Sequence, residues 1–135
     1  MTKRRDFIKA SVAMTAGAIA TRIAPASAGN ASFPQGIIYT KDQPGKWAKK
    51  VGSHAPIVTV DGNKVTVKTK HGMSEKHYIV RHTLVSADGE VLGEKTFYPS
   101  DEEALSVLEV KQGAGALYAT SFCNKHDFWV TAFSV

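Results

Sequence analysis

The chain has 135 residues and a single cysteine, Cys123, which excludes an intrachain disulfide framework and any site built from several thiolates of one chain. With 43% hydrophobic residues, 21% charged and 5 prolines, it is a globular composition and not a disordered one. The net charge of +5 is concentrated in residues 1–28, where Lys3, Arg4, Arg5, Lys9 and Arg22 stand against Asp6; the rest of the chain is nearly neutral, so no nucleic-acid partner is indicated.

Residues 3–9 read Lys-Arg-Arg-Asp-Phe-Ile-Lys. An apolar run of small residues follows, from Ala10 to Ala20, and then Ala26-Ser27-Ala28, with small residues at the two positions a signal peptidase reads. This is the three-part layout of an export signal, too short and too weakly apolar for a membrane span. The paired arginines before Phe-Ile-Lys resemble a twin-arginine (Tat) signal, although Lys3 stands where that motif usually has Ser or Thr. The bland alternative is an amphipathic N-terminal helix. The reading adopted is a signal over residues 1–28, cleaved after Ala28, that engages the Tat machinery and delivers a folded, periplasmic protein.

Residues 29–135 form one domain. Its first part, 29–50, carries Pro34, Gly36, Pro44 and Gly45 with a short apolar run at Ile37-Ile38-Tyr39, and reads as an irregular arm packed onto the domain. From residue 56 the period becomes two. Ile57, Val58 and Val60 lead into Asp61-Gly62-Asn63, and Val65 and Val67 follow, a hairpin pattern. Further strands are expected at 78–86, at 91–98 after the turn Ala87-Asp88-Gly89-Glu90, at 104–110 after an acidic loop, and at 117–122 and 128–135. About seven short strands and no long amphipathic helix predict an all-β fold, an immunoglobulin-like antiparallel β-sandwich.

Chemistry concentrates in the histidines. His54 lies in Gly52-Ser53-His54-Ala55-Pro56, and His71 and His77 flank one loop. His126 follows Cys123 in Cys123-Asn124-Lys125-His126-Asp127-Phe128-Trp129. His82 sits inside a strand without a partner pattern and reads as structural or surface. Imidazole and thiolate are ligands for iron, copper and zinc, and Cys-X-X-His puts both on one tight loop. Each feature alone has a plainer reading: a lone cysteine is usually a small hydrophobe, and single histidines at strand ends are usually satisfied polar groups. Together they point to a metal, which also gives an exported thiol a reason to survive an oxidising compartment.

The segments His71-Gly-Met-X-X-X-His77-Tyr-Ile and Cys123-Asn-X-His126-X-X-Trp129 resemble the iron-site motifs of the superoxide reductase family of neelaredoxins and desulfoferrodoxins. His54-Ala-Pro-Ile resembles that family's first ligand segment, and Trp47 stands where small members often have a tryptophan. The resemblance spans about residues 45–135. It implies one iron (Fe2+/Fe3+) per chain, with His54, His71, His77 and His126 in a plane, Cys123 as axial thiolate and a sixth position open. It implies one-electron reduction of superoxide to hydrogen peroxide, with an unidentified electron donor restoring ferrous iron. With one cysteine the chain lacks the additional four-cysteine centre of some members. A homo-oligomer is a further expectation.

The pattern departs from the family at one place. Members usually have Glu-Lys before the first histidine, the lysine to attract superoxide and help protonate the product, the glutamate to close the sixth position. Here Gly52 and Ser53 stand there, and neither can do this. Lys50 and Lys49, a few residues upstream, are the candidates for superoxide attraction or proton delivery, against the plainer reading of two solvated surface lysines. Two other functions stay open on the residues alone: a cupredoxin-type electron carrier, against which stand four candidate histidines and the lack of a methionine after Cys123, and a metal-binding module without turnover.

Overall fold

The computed structural model describes residues 34–135; the export signal read over residues 1–28 and the start of the arm lie outside the described residues. Among the described residues there are eight strands: β1 (Ile38–Tyr39), β2 (Ile57–Asp61), β3 (Lys64–Thr69), β4 (Ile79–Ser86), β5 (Val91–Thr96), β6 (Ala104–Glu109), β7 (Ala116–Cys123) and β8 (Asp127–Ser134). They form a five-stranded sheet in the order β1-β8-β7-β4-β5 and a three-stranded sheet in the order β2-β3-β6. Without β1, the strand order is that of an immunoglobulin-like sandwich, with the chain changing sheets between β3 and β4, β5 and β6, and β6 and β7.

The seven strands expected from the sequence are all there. The eighth, β1, comes from the arm, and it is parallel to β8, pairing Ile38 with Phe128 and Tyr39 with Trp129. The sheet is therefore not wholly antiparallel. Tyr39 is buried against Trp129, ring centroids 5.6 Å apart, and this packing holds the arm along an otherwise open sheet edge. Reciprocal backbone hydrogen bonds between Thr40 and Gln43 then reverse the chain. It continues as a 3-10 turn over Gly45–Lys50, inside the segment expected to be an irregular arm, and a four-residue helix, α1 (Val51–His54).

Strand periodicity accounts for the core. In β7 alternate residues Leu117, Ala119, Ser121 and Cys123 all face inward and are buried. Val65 and Val67 of β3 meet Leu84 of β4 and Leu117 and Ala119 of β7 between the two sheets. The β2–β3 turn is two residues long, since Asp61 pairs with Lys64; its positive φ falls on Gly62, at +59°, where a side chain would be strained.

A polar layer crosses the same core. His82 is fully buried; its Nε2 lies 2.9 Å from Thr69 Oγ1 and its Nδ1 lies 2.9 Å from Ser106 Oγ. Thr69 Oγ1 also lies 2.8 Å from Ser121 Oγ. The layer joins β3 and β6 of one sheet to β4 and β7 of the other. Burial, and to a lesser degree the charge of Lys95, lower the His82 pKa to about 4. His82 is thus a structural residue and neutral at neutral pH.

Because its folded pKa lies below the ordinary value, this histidine contributes stability that is complete above about pH 6.5 and is lost as pH falls toward 4, by about 3 kcal/mol at most. His82→Gln, which cannot titrate, should be less stable than wild type at pH 7 by roughly 2 kcal/mol for the hydrogen bonds it loses. The gap should narrow on acidification from pH 6.5 to 4. Denaturant titrations at several pH values check this; parallel stability curves for the two proteins would contradict it.

Candidate metal centre

All the chemistry-bearing segments reach one end of the sandwich. His54 ends α1 just before β2, and His71 follows β3. His77 precedes β4, Cys123 ends β7, and His126 sits in the turn to β8. One donor atom from each of His54, His71, His77, Cys123 and His126 lies within 4.8 Å of all the others. Donors facing each other across an ion at bonds of about 2.0–2.3 Å stand about 4.0–4.6 Å apart, so the cluster has the size of a single coordination sphere.

The rings form a cycle. Neighbouring centroids are 4.7 Å apart for His54–His71, 4.3 Å for His71–His77, 4.7 Å for His77–His126 and 4.6 Å for His126–His54. The diagonal His54–His77 is longer, at 6.0 Å. His77 Nε2 lies 3.0 Å from His71 Nε2 and 2.9 Å from His126 Nδ1. A ring nitrogen has one in-plane position for a proton or a lone pair, so it cannot hydrogen-bond well to both neighbours. Three nitrogens meeting this closely are explained by a cation they share. His54 Nε2 makes the same point: it is buried and has no hydrogen-bond partner. Cys123 Sγ lies 3.6 Å from His126 Nδ1 and comes from the core side, at the end of the inward row of β7. The donor set that emerges is Nε2 of His54, His71 and His77, Nδ1 of His126 and the Cys123 sulfur, a set that fits a mononuclear iron site.

Protonation favours the same use. The His54 pKa is lowered to about 4, first by burial and then by the other imidazoles. Burial is also the main cause that lowers His71, His77 and His126. All four rings are therefore neutral at neutral pH, the form that binds a metal.

Hydrogen bonds from neighbours hold the loops in place. Asn124 donates from Nδ2 to the Lys76 carbonyl (3.0 Å) and accepts from the Tyr78 backbone N–H (3.0 Å), sewing the His71–His77 loop to the Cys123–His126 turn. Trp129 Nε1–H donates to the His126 carbonyl at 2.9 Å. Trp47 Nε1–H donates to Asp127 Oδ2 at 3.0 Å while its ring meets His126 edge-on, ring centroids 4.7 Å apart. Asp127, which closes the turn, has φ +69°, a conformation Asp adopts more readily than most residues.

The two lysines separate. Lys50 is half-buried, and its charge contributes to lowering His71, His77 and His126; Lys49 is exposed. Lys125, which the sequence reading passed over, acts on His77 and His126. Its place inside the Cys-X-X-His loop was the available signal. Asn124 and Asp127, missed likewise, stand inside and next to that motif.

The desulfoferrodoxin family model matches residues 45–132. The chain belongs to the desulfoferrodoxin family. Among solved structures it is similar to a superoxide reductase (neelaredoxin) from Ignicoccus hospitalis, with 27% identity over 73% of this chain and 94% of that one and a TM-score of 0.57. The one-iron superoxide reductase from Giardia intestinalis shares the fold, at 24% identity over 62% of this chain and 98% of that one, TM-score 0.56. No curated protein sequence matches the chain.

A bound ferric ion should give a sulfur-to-iron charge-transfer band in the visible. Cys123→Ala should abolish it, and Cys123→Ser should keep metal but lose the band. Metal analysis with absorption spectroscopy of oxidised protein decides; a band unchanged in Cys123→Ala would remove the sulfur from the donor set.

Proposed function

We propose that the chain is a superoxide reductase of the one-iron type, which reduces superoxide to hydrogen peroxide with one electron and two protons. The observation that carries this reading is the convergence of four imidazoles and one cysteine within 4.8 Å in a desulfoferrodoxin-family chain. Iron held by these five residues would supply the electron, an external one-electron reductant restoring it. His54, His71, His77 and His126 would hold the ion as neutral donors, so Cys123 is the one donor of the five that can bring a negative charge. Cys123 is buried at the core end of the site, out of reach of water; with the ion bound, its sulfur would be a donor whose electron density favours reduction of the substrate.

The Lys50 ammonium provides the positive field that draws an anionic substrate to the ring of imidazoles, with Lys125 adding to it. Lys50 takes the role that the missing lysine before His54 has in the family, while Lys49 belongs to the solvated surface. Gly52 has no side chain, so no carboxylate stands at the position of the family's glutamate. That absence favours one second reading, a metal-binding member of the family without rapid turnover. A cupredoxin-type carrier is disfavoured by the fourth imidazole at the site and by the family match.

The protein acts in the periplasm after Tat export, a reading supported by Arg4-Arg5, the apolar run and Ala26-Ser27-Ala28. Replacing both arginines, Arg4→Lys with Arg5→Lys, should leave the precursor uncleaved in the cytoplasm. Cell fractionation checks this, and unimpaired export of the variant would assign the leader to another route.

Lys50→Ala should slow the second-order reaction with superoxide by roughly tenfold at low salt and flatten its salt dependence, with metal content and spectrum unchanged. Lys49→Ala should change the rate by less than about twofold. Pulse radiolysis measures both. Iron-loaded wild type that does not consume superoxide would leave the metal-binding reading in place of the enzymatic one.

A further inference from the structure

Ser53 stands where the family has its lysine, and its hydroxyl is engaged. Ser53 Oγ lies 2.8 Å from His54 Nδ1 and donates its own proton to the Lys50 carbonyl at 3.2 Å. His54 Nδ1 is itself 3.2 Å from the same carbonyl. A carbonyl only accepts, so the arrangement that satisfies all three groups has Nδ1–H donating and the Ser53 O–H passing the chain on to Lys50. His54 is then the tautomer with its proton on Nδ1 and its lone pair on Nε2. That Nε2 is the buried atom without a partner that faces the other donors. The serine hydroxyl bonding back to the carbonyl three residues earlier is a local habit of Ser and Thr in helical turns, so the contact requires only the helical backbone of α1.

We infer that Ser53 is a positioning residue: its hydroxyl links His54 Nδ1–H to the Lys50 carbonyl, fixing the metal-binding tautomer of His54 and tying the Lys50 backbone to the same ligand. The inference rests on the metal-centre reading above. The residue that replaces the family's lysine thus does not deliver charge; it orients the first ligand and couples it to the segment that carries the charge. Partners that orient a ligating imidazole change metal affinity by about 10- to 100-fold when removed. His54 Nδ1 keeps the Lys50 carbonyl as a second acceptor, which puts the effect at the low end of that range.

The test uses iron-loaded full-length protein, with and without Ser53→Ala and Ser53→Thr. The rate of iron loss to excess EDTA is followed by decay of the Cys123-dependent visible band. In parallel, zinc-loaded protein with 15N-labelled histidine reports the His54 Nδ1–H proton by NMR. Ser53→Ala should lose iron roughly tenfold faster and show an upfield-shifted, faster-exchanging Nδ1–H. Ser53→Thr, which keeps the hydroxyl, should restore both within about twofold. Iron loss at the wild-type rate in Ser53→Ala, or failure of Ser53→Thr to restore it, overturns the inference. A wild-type protein with no Cys123-dependent band overturns the metal-centre reading itself, and the role of Ser53 with it; the two failures are therefore distinct.

Discussion

A buried imidazole nitrogen with no partner is the constraint around which this protein is organised. His54 is 2% exposed, and its Nε2 faces three other imidazoles and a sulfur without a protein group to bond. Leaving a buried polar atom unpaired costs about 1–3 kcal/mol. Close packing of neutral rings does not recover that cost, because the donor atoms face one another and not hydrogen-bonding complements. The cost is offset when a cation occupies the point on which they converge. Family membership and the size of the cluster identify the same point. The surrounding scaffold works to hold this otherwise unfavourable arrangement: Asn124 between two loops, Trp47 on Asp127, Trp129 on the His126 carbonyl.

Much of this is legible in the sequence because a strand has a simple period. Val65 and Val67, and the row Leu117, Ala119, Ser121 and Cys123, follow from alternation, and the row already puts Cys123 on the core side of whatever it binds. The ligand set is legible because the Cys-X-X-His pair and the His71–His77 loop are compact, local patterns. The route of the segment before His54 is not. Gly45–Lys50 and Val51–His54 are helical turns too short to show amphipathic periodicity, and β1 is two residues held by Tyr39 packing on Trp129, a contact between residues 90 positions apart. The partners of His82 were hidden for a similar reason: Thr69 and Ser106 meet it across the sandwich from β3 and β6, and Ser121 of β7 in turn partners Thr69.

The polar layer and the metal centre share strands, so they are parts of one design. Ser121 and Cys123 are successive inward residues of β7, and Thr69 ends the strand that leads into His71. The layer fixes the register of β3, β4, β6 and β7 near the end of the sandwich where the ligands emerge. A slip of one residue would turn the inward row of β7 outward and take Cys123 away from the imidazoles. Hydrogen bonds between neutral buried groups add little net stability, about 1 kcal/mol each, but they are directional in a way aliphatic contacts are not. Their value here lies in specifying where Cys123 ends up.

The helical turns before β2 also underlie the proposal that Lys50 serves in place of a lysine next to the first ligand. In an extended segment, residues four apart lie about 13 Å apart along the chain. In a helical turn, residues i and i+4 are neighbours on one face. Lys50 and His54 have that spacing across α1, whose first flanking residue is Lys50. The helical backbone thus brings the Lys50 charge onto the side of the segment that carries the ligand, while Lys49 falls off that face and is exposed. On the proposed reading, the positive charge stands one turn before the ligand and not one residue before it. The vacated position is free for a hydroxyl that bonds the ligand's far nitrogen. The same turn therefore accounts for the field at His71, His77 and His126, for the contact between Ser53 and His54, and for the carbonyl of Lys50 that both of them reach.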